Sequence, residues 1–214
     1  MNPAIRIGIV GAGEMGQRHA KLVADSNIAV MAGFADPDPS VALNSVFAKV
    51  KHYRDHLKLI KAETPDGIII AAPNAHHVPV AIDCLAAGIP VLLEKPVADS
   101  VESGRTLVAE QRKSGVTVLV GHHRRFDPAV DATRRLINDG SIGQLLAVQT
   151  TWVTRKPEHY YQVKWRTERS SGGFILINLI HDIDMLRYLC GEITSVYADL
   201  DSVGRSLAVA DTAA

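Results

Sequence analysis

The sequence predicts an α/β protein. It has a parallel sheet covered on both faces over residues 1–121 and a second, α+β domain over residues 122–214. Three observations carry that reading. Short β-branched runs alternate with helical patterns through the first 121 residues, and those runs are apolar almost without interruption, as strands buried on both faces are. Beyond them the strands lengthen and the helices become fewer. The composition agrees, because 214 residues that are 47% apolar and 21% charged can bury a core and are not disordered.

Ala4–Val10 (AIRIGIV) reads as a first buried strand, with a helix over Glu14–Asp25 behind it. Ile28–Ala35 is a second strand, closed by the turn signal DPDPS, and Ser40–Val50 is helical. Helix-like stretches at His56–Glu63 and Val78–Ala87 precede the strands Ile68–Ala72 and Val91–Leu93. Ser100–Ser114 is a further helix, and Val116–Val120 the last strand of this part. In the second part, Pro128–Asp139 predicts a helix stopped by Gly140. Leu145–Val153 (LLAVQTTWV) predicts a long strand, Phe174–Leu189 a buried helix, and Val196–Leu200 and Leu207–Ala210 two more strands. A largely antiparallel open sheet is expected there, with the boundary near His122.

Charge and cysteine content narrow the function classes. Twenty-three basic residues balance twenty-three acidic ones, and the balance holds on both sides of the boundary. No global field therefore favours nucleic acid or an anionic membrane. Two cysteines, Cys84 and Cys190, form no disulfide framework and suggest a reducing compartment. Both fall on apolar helix faces and read as inert core residues. No apolar run is long enough to span a bilayer, and the N-terminus lacks the features of a signal peptide. A cytoplasmic enzyme or binding protein is expected.

Gly11-Ala-Gly13-Glu-Met-Gly16 follows the first strand directly and opens the first helix. In that context Gly11 permits the tight turn, Gly13 lets a pyrophosphate approach the backbone, and Gly16 lets helix and strand pack closely. The helix N-terminus offers N–H groups and partial positive charge to phosphates. Glu14 and Met15, inside the same turn, complete this group of candidate contacts. Asp36 ends the second strand, where its carboxylate suits both ribose hydroxyls of an adenosine. The residues after it, Pro37 to Ser40, include no cation for a 2′-phosphate. The pattern is that of a Rossmann dinucleotide-binding domain, and it favours NAD over NADP.

Beside GAGEMGQRH, the chain contains AAPNAHHVPVAIDCLAAGIPVLLEKP (71–96), VGHHRRFDP (120–128) and SGGFILINLIHDIDMLRYLCGEI (171–193). With these motifs it resembles the glucose–fructose oxidoreductase/inositol dehydrogenase/rhizopine catabolism (Gfo/Idh/MocA) family over essentially its whole length. The resemblance implies a Rossmann domain, a C-terminal α/β domain on an open, largely antiparallel sheet, and a nicotinamide between them against a sugar, polyol or related hydroxy compound. It also implies that Lys95 of the EKP tripeptide contacts substrate and cofactor, and that His181 relays the proton. A cis peptide at Pro96 is common in the family.

The chemistry suits these residue types. Oxidising a secondary alcohol needs a base with a pKa near working pH, which histidine has without tuning. A protonated Lys95 would polarise the oxygen on which negative charge develops. Glu94 would pair with Lys95 or cap backbone donors. One departure stands out: the family's acidic residue between the glycines and the histidine is replaced, with Asn178 or Ile177 in its slot. Asn178 would orient a hydroxyl but not exchange a proton. Asp184, three residues after His181, would orient its ring, or Asp182 and Asp184 would cap the helix or pair with Arg187.

Pro73 and Asn74 follow the fourth strand on the cofactor side, with Asn74 either touching ribose or capping the next helix. His76 or His77 would line the nicotinamide pocket, or His77 would stand exposed. Arg124 is expected to contact substrate or cofactor, and Arg125 to be solvated. Tyr161, Trp165 and Arg166 suit sugar recognition or an oligomer contact. No metal site is expected, because neither His76-His77 nor His122-His123 has an accompanying ligand set.

The leading reading is an NAD-dependent dehydrogenase of a sugar, cyclitol or hydroxy acid. Two others stand beside it: an enzyme that recycles a tightly bound NAD during epimerisation, elimination or glycoside cleavage, and a non-catalytic NAD-binding sensor. Family members run well past three hundred residues, so a C-terminally truncated second domain is expected, along with homo-oligomers through its sheet in the full-length form.

Overall fold

A computed structural model describes residues 3–163, 166–167, 173–201 and 212–213. The chain forms two compact units, Met1–Gly121 and His122–Ala214. In the first, strands β1 (Ile5–Val10), β2 (Ala29–Ala35), β3 (His52–Tyr53), β4 (Gly67–Ile70), β5 (Val91–Leu93) and β6 (Val118–Val120) alternate with helices. The helices are α1 (Glu14–Ala24), α2 (His56–Glu63), α3 (His77–Ala86) and α4 (Val101–Ser114). The strand order is β3-β2-β1-β4-β5-β6, and every pair is parallel.

Alternate residues of a strand face opposite sides of a sheet, and both sides here are covered. Ile9, Phe34 and Ile69 gather on one face with Ala20 and Val23 of α1 and with Phe47. Val10, Ile68, Ile70 and Leu93 point to the other face, against Leu59, Val78, Cys84 and Leu107 from α2, α3 and α4. This two-sided burial explains why the strands read as continuous apolar runs. Leu59 is fully buried and fits because Gly33 has no side chain: a Cβ there would come within 2.7 Å of it.

The chain leaves β1 toward β2 on one side, while β4 pairs on its other side. A crevice opens at such a reversal, outside the C-terminal ends of the strands. The glycine turn after β1, the Pro73-Asn74 turn after β4 and Lys95 after β5 all lie at that end.

In the second unit, Asp127 caps α5 (Pro128–Asn138) by accepting from the Ala129 N–H, with Pro128 in the first turn. Among the described residues, α6 (Glu158–Tyr161) and α7 (Gly173–Cys190) follow. The two-residue strands β7 (Leu200–Asp201) and β8 (Thr212–Ala213) pair antiparallel. No helix among the described residues is long and apolar enough to cross a membrane.

Four expectations need correction. Ser40–Val50 is not an α-helix: a 3-10 turn over Pro39–Leu43 is followed by irregular chain. There Asn44 Oδ1 accepts from the Val46 N–H, the local competition by which Asn breaks helices. Leu145–Val153 is not a strand, because no described segment pairs with it and a lone strand leaves its backbone groups unsatisfied. Of Val196–Leu200 only Leu200 joins a ladder, and Leu207–Ala210 lies outside the described residues. Cys84 is buried, and desolvation pushes its thiol up to about 12, but Cys190 is exposed rather than core.

Candidate functional site

The turn after β1 is shaped by backbone packing. Gly11 has φ +91°, and a Cβ there would lie 2.6 Å from the Ala72 nitrogen. A Cβ on Gly16 would lie 1.9 Å from the Gly11 carbonyl oxygen. Gly13 is different, because a Cβ there would meet nothing within 4 Å. The turn therefore keeps open room in front of α1. An α-helix leaves its first N–H groups without intrahelical acceptors, and Gly13, the N-cap, offers no capping side chain. Open space facing free donors and a positive helix end fits the pyrophosphate of a dinucleotide.

Asp36 anchors this turn. Its Oδ2 accepts from the Ala12 N–H at 2.8 Å and its Oδ1 from the Asp38 N–H at 2.9 Å. A carboxylate has about four acceptor positions, so capacity remains for ribose hydroxyls. Glu14 is exposed and paired with Arg18 one helical turn on, and Met15 is partly exposed.

Past β5, Glu94 is buried and its carboxylate is divided between two donors. Oε1 accepts from His19 Nε2 at 2.8 Å and Oε2 from the Lys95 N–H at 3.2 Å. Burial alone would raise the Glu94 pKa. The hydrogen bond and charge of His19, with the backbone N–H and charge of Lys95, more than offset that and hold it below the ordinary range. Glu94 thus caps a backbone donor, one of its two expected roles, and its other partner is His19. His19 was not among the predicted site residues. A signal existed in the helical spacing, since His19 follows Gly16 by three residues and shares its helix face.

The Lys95–Pro96 peptide is cis. His77 is almost fully buried, with Nδ1 2.7 Å from the Pro96 carbonyl oxygen and Nε2 2.9 Å from that of Ala72. Desolvation lowers its pKa although both carbonyl oxygens favour the charged ring, and the neutral ring donates to one of them at a time. His77 is therefore neither exposed nor presented to a ligand; it ties the turns after β4 and β5 together. Asn74 is buried within a 3-10 turn over Asn74–His76 that begins after Pro73.

In the second unit, the turn His123–Phe126 meets α7. Arg125 forms a two-pronged pair with Asp184, Nε to Oδ2 at 2.9 Å and Nη2 to Oδ1 at 2.5 Å, and His122 Nδ1 lies 3.5 Å from Asp184. Arg124 pairs with Asp182 at 3.2 Å, and Arg187 pairs with Glu192. Both readings of the aspartates are therefore corrected: Asp184 neither orients His181 nor pairs with Arg187, and Arg125 is not simply solvated. Two carboxylates two residues apart on α7 thus pair with the two adjacent arginines, and the forked Arg125–Asp184 contact is the geometry that guanidinium and carboxylate favour. Desolvation pushes Asp184 up, but Arg125, His122 and Arg187 hold it below its ordinary range.

His181 lies edge-on to the His123 ring, centroids 4.9 Å apart. Asn178 Nδ2 donates to the Tyr160 hydroxyl at 3.2 Å, and Arg166 stacks over the Tyr160 ring. Tyr161 packs edge-on to Tyr160. Trp165 lies outside the described residues. No described group of three or more His, Cys, Asp or Glu side chains is arranged to hold a metal ion.

Residues 5–122 match the family profile described as an oxidoreductase family with an NAD-binding Rossmann fold. Residues 130–214 match the GFO/IDH/MocA C-terminal domain. The rhizopine catabolism protein MocA of Rhizobium meliloti is 33% identical over 87% of this chain and 57% of its own length. An inositol 2-dehydrogenase of Corynebacterium glutamicum is 30% identical over 90% of this chain and 56% of its own. The chain thus spans a little over half the length of these curated relatives. Among solved structures, the WlbA dehydrogenase from Bordetella pertussis in complex with NADH and UDP-GlcNAcA superposes with a TM-score of 0.91 at 26% identity, covering all of this chain and 63% of that one. With its glycine turn and Asp36 at the switch point of a 3-2-1-4-5-6 parallel sheet and both profiles matched in order, the chain belongs to the Gfo/Idh/MocA family of oxidoreductases and carries its NAD-binding Rossmann domain.

Proposed function

We propose that the protein is an NAD-dependent dehydrogenase that moves a hydride between nicotinamide and a hydroxyl-bearing carbon of a sugar, cyclitol or related hydroxy acid. The observation that carries the reading is within the first unit: the glycine turn, Asp36 and Lys95 lie at one end of one parallel sheet. The names of its relatives, inositol 2-dehydrogenase among them, support the substrate class. NAD, when bound, supplies the hydride acceptor.

The chain's own residues hold the dinucleotide and handle the proton. Gly11, Gly13 and Gly16 shape the phosphate turn, Asp36 receives the ribose hydroxyls, and Glu14, Met15, Pro73 and Asn74 border them. A protonated Lys95 stabilises negative charge on the substrate oxygen, and His181 takes the hydroxyl proton. Arg124, Tyr161, Trp165, Arg166 and Asn178 are the proposed substrate contacts, with Arg124 exchanging its Asp182 partner for a polar ligand. NADP is disfavoured, because no Lys or Arg follows Asp36 before Lys49.

A panel of cyclitols, aldoses and sugar acids, followed by NADH absorbance, tests the proposal. Turnover with at least one member, lost in Lys95→Ala and His181→Ala, is the expected result. NADH binding without turnover of any member would contradict it. Asn178→Asp asks separately whether the missing carboxylate limits the rate.

A further inference from the structure

We infer that His19 is a positioning residue for Lys95: it acts through Glu94 and joins the helix that meets the dinucleotide to the loop that carries the amine. The inference rests on the roles proposed above for the glycine turn and Lys95.

His19 sits on α1 three residues after Gly16, on the face turned toward the sheet. Its side chain retains 16% exposure, and that of Glu94 only 10%. The carboxylate reaches two elements at once. One oxygen holds His19 Nε2 and the other the backbone N–H of Lys95. Gly121, at the end of β6, leaves room for it, since a Cβ there would come within 3.3 Å of Glu94 Oε2. On the far side of Lys95, the Pro96 carbonyl oxygen is met by the buried His77 ring. The backbone around Lys95 is thus held before and after the residue, and the hold before it runs to the dinucleotide helix.

Packing alone does not call for this arrangement. Burying a carboxylate beside an imidazole carries a desolvation penalty that an apolar pair of the same volume would avoid. What an apolar pair cannot do is receive the Lys95 N–H on one oxygen while gripping α1 with the other. A shift of α1 is therefore transmitted to the dipeptide that bears the amine, and conversely.

Two variants separate a hydrogen-bonding role from a space-filling one. His19→Leu keeps volume and removes the donor, whereas His19→Gln keeps an N–H donor within reach of Glu94. The first readout is the rate at which Lys95 is acetylated in cofactor-free protein, measured by mass spectrometry against the exposed Lys58 and Lys113. The second is the NADH dissociation constant from fluorescence titration. His19→Leu is expected to change the Lys95 rate and weaken NADH binding, each by about threefold or more, the response to losing one ordinary hydrogen bond. His19→Gln is expected to stay near wild type in both. An unchanged Lys95 rate in folded His19→Leu, or equal changes in the two variants, overturns the inference. Should His19→Leu not fold, the isosteric Glu94→Gln takes its place, and wild-type acetylation of Lys95 in that variant is the contrary result. Acetylation is read without cofactor. A wild-type chain that failed to bind NADH would therefore refute the proposed function and leave this test standing.

Discussion

Replacing Gly16 and Gly13 by alanine, one at a time, separates the architecture of the turn from its use. At Gly16 the added methyl would stand 1.9 Å from the Gly11 carbonyl oxygen, and helix and strand end must part by about 1.1 Å to restore a 3.0 Å contact. The obstacle is backbone, so relief by a rotamer change is closed. Overpacking of this kind costs about 1–3 kcal/mol, with Gly16→Ala at the upper end. For a unit of this size that lowers the melting temperature by about 8–12 °C. At Gly13 the methyl meets nothing within 4 Å, and φ −67°, ψ −165° suits alanine. Its effect on stability should stay within about 1 kcal/mol, the scale of N-cap exchanges. The same methyl fills the space assigned to a phosphate, so NADH affinity should fall about tenfold or more, equivalent to 1.4 kcal/mol. Thermal unfolding by circular dichroism and NADH fluorescence titration give the two axes. Gly16→Ala should lose both stability and binding, and Gly13→Ala binding alone. A Gly13→Ala protein that binds NADH as wild type does would refute the cradle, and a Gly16→Ala protein with unchanged melting would refute the packing argument.

Leu59→Ala should destabilise the first unit by about 2–5 kcal/mol, the range for a fully buried leucine, read from urea unfolding. Asp184→Ala should cost about 1.5–3 kcal/mol by removing the charged hydrogen bonds to Arg125; faster amide exchange in the His123–Phe126 turn and adjoining α7 is the check. Glu94 predicts an acid dependence. Its folded pKa lies below the unfolded value, so its stabilisation is complete above roughly pH 4.5 and is lost as pH falls through the folded value. Denaturant titrations from pH 7 downward should show Glu94→Gln less stable than wild type at neutral pH, with the gap closing below roughly pH 4.5. A gap independent of pH would contradict the assignment.

The parallel sheet was legible because burial on both faces writes itself into consecutive residues. IRIGIV and GIII can satisfy two cores only as strands. β3 was not legible, because His52-Tyr53 is two residues long and pairs only where β2 offers an edge. Leu145–Val153 shows the converse: its composition suits a strand, but a strand exists only with a partner, and local composition does not encode one. At the site, the glycine turn and Asp36 were readable because their chemistry is local and regularly spaced. Lys95 stood out through the family resemblance. The contacts between distant residues, His19 with Glu94 and Arg125 with Asp184, were not readable, since separations of 75 and 59 residues are set by topology. His77 was misread for the same reason, because its two carbonyl partners come from different turns.

The glycine turn and Asp36 are proposed to bind NAD in this chain, and parallel titrations of the wild-type protein with NADH and NADPH are the test. Saturable NADH binding with NADPH at least about tenfold weaker, the discrimination expected when a 2′-phosphate meets an uncompensated carboxylate, is the predicted result. No saturable binding of either, or tighter NADPH, would contradict it.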